Sequence, residues 1–242
     1  MEKIRLYAYG KSIENGAWYI DKSRIVNRLY YVNSGKAIVS FAHKEHTLVE
    51  GKLYIIPQCN DFFTVEAKDF DHTFFDFYNS QILRCDKALE FDKKELNVNA
   101  LFDYLNFLIV SDPDKQLYDS VEYFLCGFLK LLEKSHPLPY ISNSYVTTAV
   151  NLIHEECISL TTKQLAKKLN LNESYFIRMF SSAMGITPMK YIRACRVSYG
   201  KQLLQNGATV EEAAEKCGYS SAAAFYNATT AEFNISPSKL KN

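Results

Sequence analysis

The sequence predicts an α+β chain: a β-rich amino-terminal half, longer helices behind it, and an all-α carboxy-terminal part. Three observations predict it. The first eighty or so residues hold closely spaced short runs rich in aromatic and β-branched side chains. Near Leu96 the apolar spacing changes to i, i+3, i+4, i+7, the period of a helix. After Tyr145 the chain breaks into short segments bounded by helix caps, and one arrangement of these occurs twice.

The strand runs are RLYYV, KAIVSFA, KLYIIP, FFTVEA and HTFFDFY. Asn33-Ser34-Gly35-Lys36 reads as a hairpin turn, and Gly51 and Pro57 bracket one strand. Short strands at this spacing suit a sandwich or small barrel. Trp18, Tyr19, Tyr30, Tyr31, Phe41, Phe62, Phe63, Phe74, Phe75 and Phe77 crowd this region. Alternation turns about half of them inward, as core or as the lining of a pocket.

Two helices follow, in NVNALFDYLNFLIV and KQLYDSVEYFLCGFLKLLEKS, separated at Asp112-Pro113. Leu117, Val121, Phe124, Leu125, Phe128, Leu131 and Leu132 form an apolar stripe wider than one partner needs, so the pair reads as packed on the sheet and also as a dimerisation surface. HPLPYISNS, residues 136–144, has the prolines and polar turn-formers of a linker. The expected parts are therefore a β-rich domain over 1–95, helices over 96–135, the linker, and a helical domain over 145–242.

Within that last domain, Val146 to Glu156 is the first helix. Thr161 and Gln164 form a capping box before QLAKKL. Asn172 caps ESYFIRMFSSAM, which Gly185 ends. Thr187-Pro188 opens a long helix with proline at its first position. Thr209 and Glu212 make a second capping box, Gly218 interrupts, and Ser220 or Ser221 caps AAAFYNATTAEF. LAKKLNLNESYFIRMFSSAMGITP and AAEKCGYSSAAAFYNATTAEFNISP thus share one plan: capped helix, turn, second capped helix, and an Ile-(Thr/Ser)-Pro stop. The helix between them, Pro188 to Asn206, is roughly 28 Å long at 1.5 Å per residue. With its flanking turns it nears the roughly 34 Å of one DNA turn, so two reading helices could enter successive major grooves.

At these residues the chain resembles the AraC/XylS family of bacterial transcription regulators, over about Tyr145 to Lys241. The strongest pieces are SLTTKQLAKKLNLNESYFIRMF, GITPMKYIRACRVSYGKQLL and TVEEAAEKCGYSSAAAF with the following ISP. The resemblance implies two helix-turn-helix units joined by a long helix. It places Ser174, Ile177 and Arg178 of the first unit, and Ser221, Ala222, Ala223 and Asn227 of the second, toward base edges or adjacent phosphates. Arg178 suits a bidentate contact to guanine, or a phosphate; its other reading is a surface ion pair with Glu173 or Glu211. Tyr175, Phe176, Met179 and Phe180 read as core.

The second unit departs from the family. Asn227 stands where an arginine is usual, Thr229 where an aromatic is usual, and Thr230 and Ala231 where lysines are usual. Ser181 and Ser182 likewise replace a basic pair in the first. The first unit is therefore expected to carry most base reading, and the second to position the protein or read shape. Lys163, Lys167, Lys168, Lys190, Arg193, Arg196 and Lys201 are the candidates for phosphate contact.

LVEGKLYIIPQCNDFF resembles the cupin-like ligand domain of the same family. Enzymatic cupins hold a metal with two histidines one residue apart, a glutamate and a later histidine. Here His43 and His46 are three apart, Glu50 follows, and Phe62 holds the later position, which is a poor metal set. No cofactor is expected.

Composition agrees with a folded chain: 48% of residues are hydrophobic and 23% charged. Residues 1–140 carry 17 basic and 20 acidic side chains, residues 141–242 carry 11 and 7, so the helical part is the better polyanion partner. The six cysteines form no CxxC pair and read as reduced, mostly buried thiols, with a redox-sensor role as the rival. MEKIRLYAYGKS lacks the apolar run of a signal peptide, and no run suits a membrane span.

The expectation is a cytoplasmic, sequence-specific regulator, more often an activator by resemblance. Its expected partners are double-stranded DNA, RNA polymerase, a small-molecule effector and a second copy in a homodimer, with no membrane. The rivals are a metal-binding or enzymatic cupin with a helical tail, and a regulator controlled by a protein partner.

Overall fold

The structure, a computed structural model, describes residues 4–16, 25–41, 44–58, 63–84, 87–112, 114–233 and 236–237. Trp18, Tyr19, His43, Phe62 and Pro113, named above, lie outside them, as do two of the six cysteines, Cys59 and Cys85, and the Phe63 side chain. Among the described residues, 4–16 and 26–141 form one compact unit, and Ile25 with the residues from 142 onward the other.

In the first unit, strands β1 (Ile4–Gly16), β2 (Asn27–Phe41), β3 (Lys44–Val49), β4 (Lys52–Ile56), β5 (Phe63–Asn79) and β6 (Leu89–Asp92) form one antiparallel sheet. The order is β1-β5-β2-β4-β6, with β3 also paired to β2. Alternation gives each face its own core. Leu29, Tyr31, Leu53, Ile55, Phe75 and Phe77 pack toward helices α2 (Asn99–Ser111) and α3 (Tyr118–Ser135). Tyr30, Val32, Tyr54, Ile56 and Phe70 face the other way, with Val39, Phe41 and Leu48.

Two expectations for the sheet fail. Asn33–Lys36 is no hairpin turn but lies inside β2, which joins RLYYV to KAIVSFA. Gly35 has φ 74°, and the β2–β5 register shifts between Val32 and Lys36, so this segment is a bulge. Asn33 donates to Asp71 Oδ1 at 2.8 Å and accepts from Asn106 Nδ2 at 2.9 Å, which ties the bulge to β5 and α2. Asp69, at φ 46°, lies inside β5, which likewise runs through the predicted break between FFTVEA and HTFFDFY. Strand β1 had no counterpart in the sequence reading. Side chains of α3 serve its backbone: Glu122 accepts from the Leu6 amide at 2.6 Å, and the Tyr118 hydroxyl donates to the Leu6 carbonyl.

Helix α1 (Lys93–Leu96) follows β6 and carries a buried lysine, whose Nζ donates to the Val32 carbonyl at 2.6 Å. The predicted stripe of α3 is buried at Val121, Leu125, Phe128 and Leu132, but Leu131 is 71% exposed. On α2, Leu101, Tyr104, Phe107 and Val110 face solvent. The middle of the expected linker is tied down: the Ile141 amide donates to the Ile82 carbonyl at 2.7 Å, and Leu83 bridges Tyr140.

The second unit is helical: α4 (Ser144–Glu156), α5 (Thr162–Lys168), α6 (Glu173–Met184), α7 (Pro188–Gln205), α8 (Val210–Lys216) and α9 (Ala222–Phe233). The caps form as their residues dictate. Both capping boxes are complete, Asn172 accepts from the Tyr175 amide, and Thr187 caps the proline-led α7. Gly185 ends α6 at φ 71°, and Ser221 rather than Ser220 caps α9, accepting from the Ala224 amide at 3.1 Å. The seven-residue α5 and α8 are too short to hold alone, so their caps and buried faces decide them.

Helix α7 is buried on several sides. Its first half meets Phe180 of α6 through Tyr191, with ring centroids 5.7 Å apart. Its second half, with Val197 and Leu204, shares a core with Ala213, Ala214, Cys217, Phe225 and Phe233.

Candidate nucleic-acid interface

The first helix-turn-helix module pairs α5 with α6. Phe176, Phe180 and Met184, spaced by four, bury one side of α6. That register turns Ser174, Tyr175, Arg178 and Ser182 outward, with Ile177 half-buried at the edge. Among the described residues neither Glu173 nor Glu211 pairs with Arg178, so its guanidinium is available. Tyr175 corrects the sequence reading: it is 50% exposed rather than core, and its position three before Arg178 puts the two on one face. Counting in fours from Phe176 gives this answer from sequence alone. Met179 is half-buried, one step off the core row.

In the second module, of α8 and α9, Phe225, Thr229 and Phe233 occupy the matching inward positions. Ser221, Ala223, Tyr226 and Asn227 are exposed, and Ala222 is half-buried. Tyr226, matched to Ile177 in the repeat, was missing from the sequence set; its 46% exposure puts an aromatic hydroxyl on the outer face.

The candidate phosphate contacts fall into two groups. Lys163, Lys167, Lys190 and Arg193 are exposed. The others have local partners. Lys168 Nζ is bound to Glu156 at 2.7 Å, and Lys201 Nζ lies 5.5 Å from the centre of the Phe233 ring. Arg196 Nε donates to the Cys157 carbonyl at 2.7 Å, and its Nη2 to the Leu160 carbonyl at 3.0 Å. The guanidinium of Arg196 is thus engaged inside the fold.

In the amino-terminal unit, the ring of His46 stacks on Phe41 at 4.1 Å, and burial pushes its pKa down. Glu50 sits in the β3–β4 turn, and His43 is outside the described residues. Among the described residues no group of three His, Cys, Asp or Glu side chains could hold a metal. Cys126, Cys157, Cys195 and Cys217 are not joined in disulfides, and burial pushes the Cys217 thiol up to about 12, far from the thiolate. Among the described residues no helix is long and apolar enough to cross a membrane.

Two capped helix pairs on a common rod, each with an exposed second helix, have the arrangement of paired helix-turn-helix modules. A family model described as "Helix-turn-helix domain" matches residues 165–242. The Msm operon regulatory protein of Streptococcus mutans is 31% identical over 125 residues, covering 48% of this chain and 45% of that protein. The probable transcriptional regulator LumQ of Photobacterium leiognathi is 31% identical over 83 residues, covering 34% of each. The chain thus spans less than half the length of these curated relatives. Over 98% of its length it shares the fold of ToxT from Vibrio cholerae, with a TM-score of 0.62 at 13% identity and 97% of ToxT covered. ToxT from strain SCE256, with an unsaturated fatty acid bound, matches at a TM-score of 0.60 and 16% identity, over 98% of this chain and 94% of that one. The amino-terminal antiparallel sheet and the helical carboxy-terminal part thus each have a counterpart in the fold of a solved protein.

Proposed function

We propose that the chain is a sequence-specific, effector-controlled transcription regulator that acts in the cytoplasm and performs no catalysis. The observation that carries the reading is the outer face of α6. Arg178 stands there free of ion pairs among the described residues, beside Ser174 and Tyr175, with Lys163 and Lys167 exposed on α5. A guanidinium on an exposed second helix suits guanine O6 and N7, and the lysines suit phosphates. Ser221, Ala223 and Asn227 of α9 form the second, less charged contact, which positions the protein more than it discriminates.

The amino-terminal unit is the effector domain in this reading. The fatty acid bound to ToxT supports a small-molecule input here without naming one. The exposed apolar row of α2, Leu101, Tyr104, Phe107 and Val110, supports pairing with a second copy. Asp103 is the one charged residue of α2, so two such faces meet without much repulsion. Sedimentation of the full chain tests the dimer. An effector that shifts the arrangement of paired DNA-binding units by about 1–3 kcal/mol gives 5- to 150-fold control. RNA polymerase completes the set of partners.

Selection of genomic fragments on the purified chain, repeated with Arg178→Ala, tests the core of the proposal. The change should weaken the preferred site by about 1–3 kcal/mol and relax discrimination at one or two base pairs. An unaltered binding curve overturns the role given to Arg178, and a failure of the parent chain to enrich any sequence overturns the regulator reading.

A further inference from the structure

Arg196 sits midway along α7, and its two bonds reach back to the end of α4. The carbonyls of Cys157 and Leu160 lie where α4 stops and the chain turns toward the first module. Carbonyls at a helix end lack intrahelical donors, and a cation there also answers the helix dipole. The same short segment meets the turn of the second module. A Cβ built on Gly218 would lie 3.2 Å from the Ile158 carbonyl oxygen and 3.3 Å from its Cγ2. Burial pushes the Cys217 thiol and the Tyr219 hydroxyl up to about 12, and the Arg196 charge acts against that rise in both. The approach to the first module, the rod, and the turn of the second module therefore converge on one guanidinium.

From this convergence we infer that Arg196 is a positioning residue: it fixes the angle between the two helix-turn-helix modules, and through it the spacing of DNA segments the chain accepts, without touching DNA. The inference rests on the DNA-binding reading above. Rotating one module about the rod has to break the Arg196 bonds or open the Ile158–Gly218 contact. Each base pair inserted between two contacted segments turns them by about 35° relative to each other. A clamped pair of modules tolerates that poorly, and a loosened pair tolerates it better. Lysine keeps the charge at 196 but has one donor head, so it cannot repeat a planar two-carbonyl grip.

The test uses the full chain and the site enriched by fragment selection. Three duplexes are compared: the native site, the site with one base pair inserted between the two footprinted segments, and the site with the second segment scrambled. The parent chain should lose about tenfold on insertion, within the range that one wrong contact produces. Arg196→Lys should bind the native site about tenfold more weakly, lose threefold or less on insertion, and match the parent within about twofold on the scrambled duplex. Ile158→Ala, a surface change at the same junction, should flatten the spacing dependence in the same direction and serves if Arg196→Lys does not fold. An equal loss on native and scrambled duplexes would mark Arg196 as a phosphate contact and overturn the proposal. So would unchanged spacing dependence in both variants. A parent chain that selects sites but ignores the insertion also overturns it, while one that selects no site fails the regulator reading first.

Discussion

The two helix-turn-helix modules share a backbone plan and differ in what fills and charges it. Both begin with a seven-residue helix held by a Thr-x-x-(Gln/Glu) capping box, and both second helices have twelve residues. Residues 162–184 carry four cations and one acid, whereas residues 210–233 carry one cation and four acids. Inside, α6 is anchored by Phe176, Phe180 and Met184, and α9 by Phe225, Thr229 and Phe233. The first module is basic and has a ring, Phe180, at the middle inward position; the second is acidic and has the smaller Thr229 there. Caps and turns set the shared shape, and side-chain identity on top of it divides the work.

The largest expected effect separates the two fillings. Phe180 is fully buried, with its ring centre 5.7 Å from those of both Phe176 and Tyr191. Phe180→Ala should cost about 3–5 kcal/mol of stability, whereas Thr229→Ala at the matched place should cost under about 1 kcal/mol. Denaturant unfolding of the full chain, followed by amide exchange in α4–α9, measures both. Equal losses would mean that the modules are filled alike and that the contrast is only one of charge.

A middle-sized effect concerns how α9 meets the rod. A Cβ at Gly200 would lie 2.5 Å from the Phe225 ring and 3.1 Å from the Cys217 sulfur. The second module thus uses the missing side chain of the rod as its socket. Alanine favours a helix by about 1 kcal/mol over glycine, but overpacking a buried ring costs about 1–3 kcal/mol. Gly200→Ala should therefore give a net loss of up to about 2 kcal/mol, seen as a lower denaturant midpoint with faster exchange in α9 than in α6. A stabilised variant would show that Phe225 has room to move and that the socket is loose.

The parts of this arrangement that were legible in the sequence are those settled by near neighbours. Thr161 with Gln164, Thr209 with Glu212, Asn172 and Gly185 act within four residues of themselves or at a helix end, so their roles could be read directly. Ser174 and Arg178 followed from the helix period and the family resemblance, and the structure places both on the exposed face. Partners far along the chain hid the rest. Asn33-Ser34-Gly35-Lys36 has the composition of a hairpin turn, but a Cβ on Gly35 would lie 2.0 Å from the Asp69 carbonyl oxygen of β5. The glycine is there for a close approach of backbones, which local composition does not reveal. Arg196 looked like its neighbour Arg193, a cation on a helix beside DNA. The carbonyls that claim it lie 36 and 39 residues back. Tyr175 differs again: its aromatic character suggests core, but the four-residue register from Phe176 turns it outward.

The smallest effect has the opposite sign and probes the sparer filling directly. Thr229 is 0% exposed, and its hydroxyl has no hydrogen-bond partner among the described residues. A buried, unpaired hydroxyl costs roughly 1–3 kcal/mol relative to a satisfied one. Valine has nearly the same shape and the same β-branching, so Thr229→Val removes that cost without a new cavity. The full chain should gain about 1 kcal/mol, because some of the penalty is already relieved by local adjustment. The outer face of α9 is untouched by this change, so affinity for the selected site and its dependence on salt should stay the same. If Thr229→Val instead weakened DNA binding at constant stability, the hydroxyl would have to be holding α9 in its reading pose. The second module would then owe its geometry to a polar contact made only on DNA, where the first relies on an aromatic anchor.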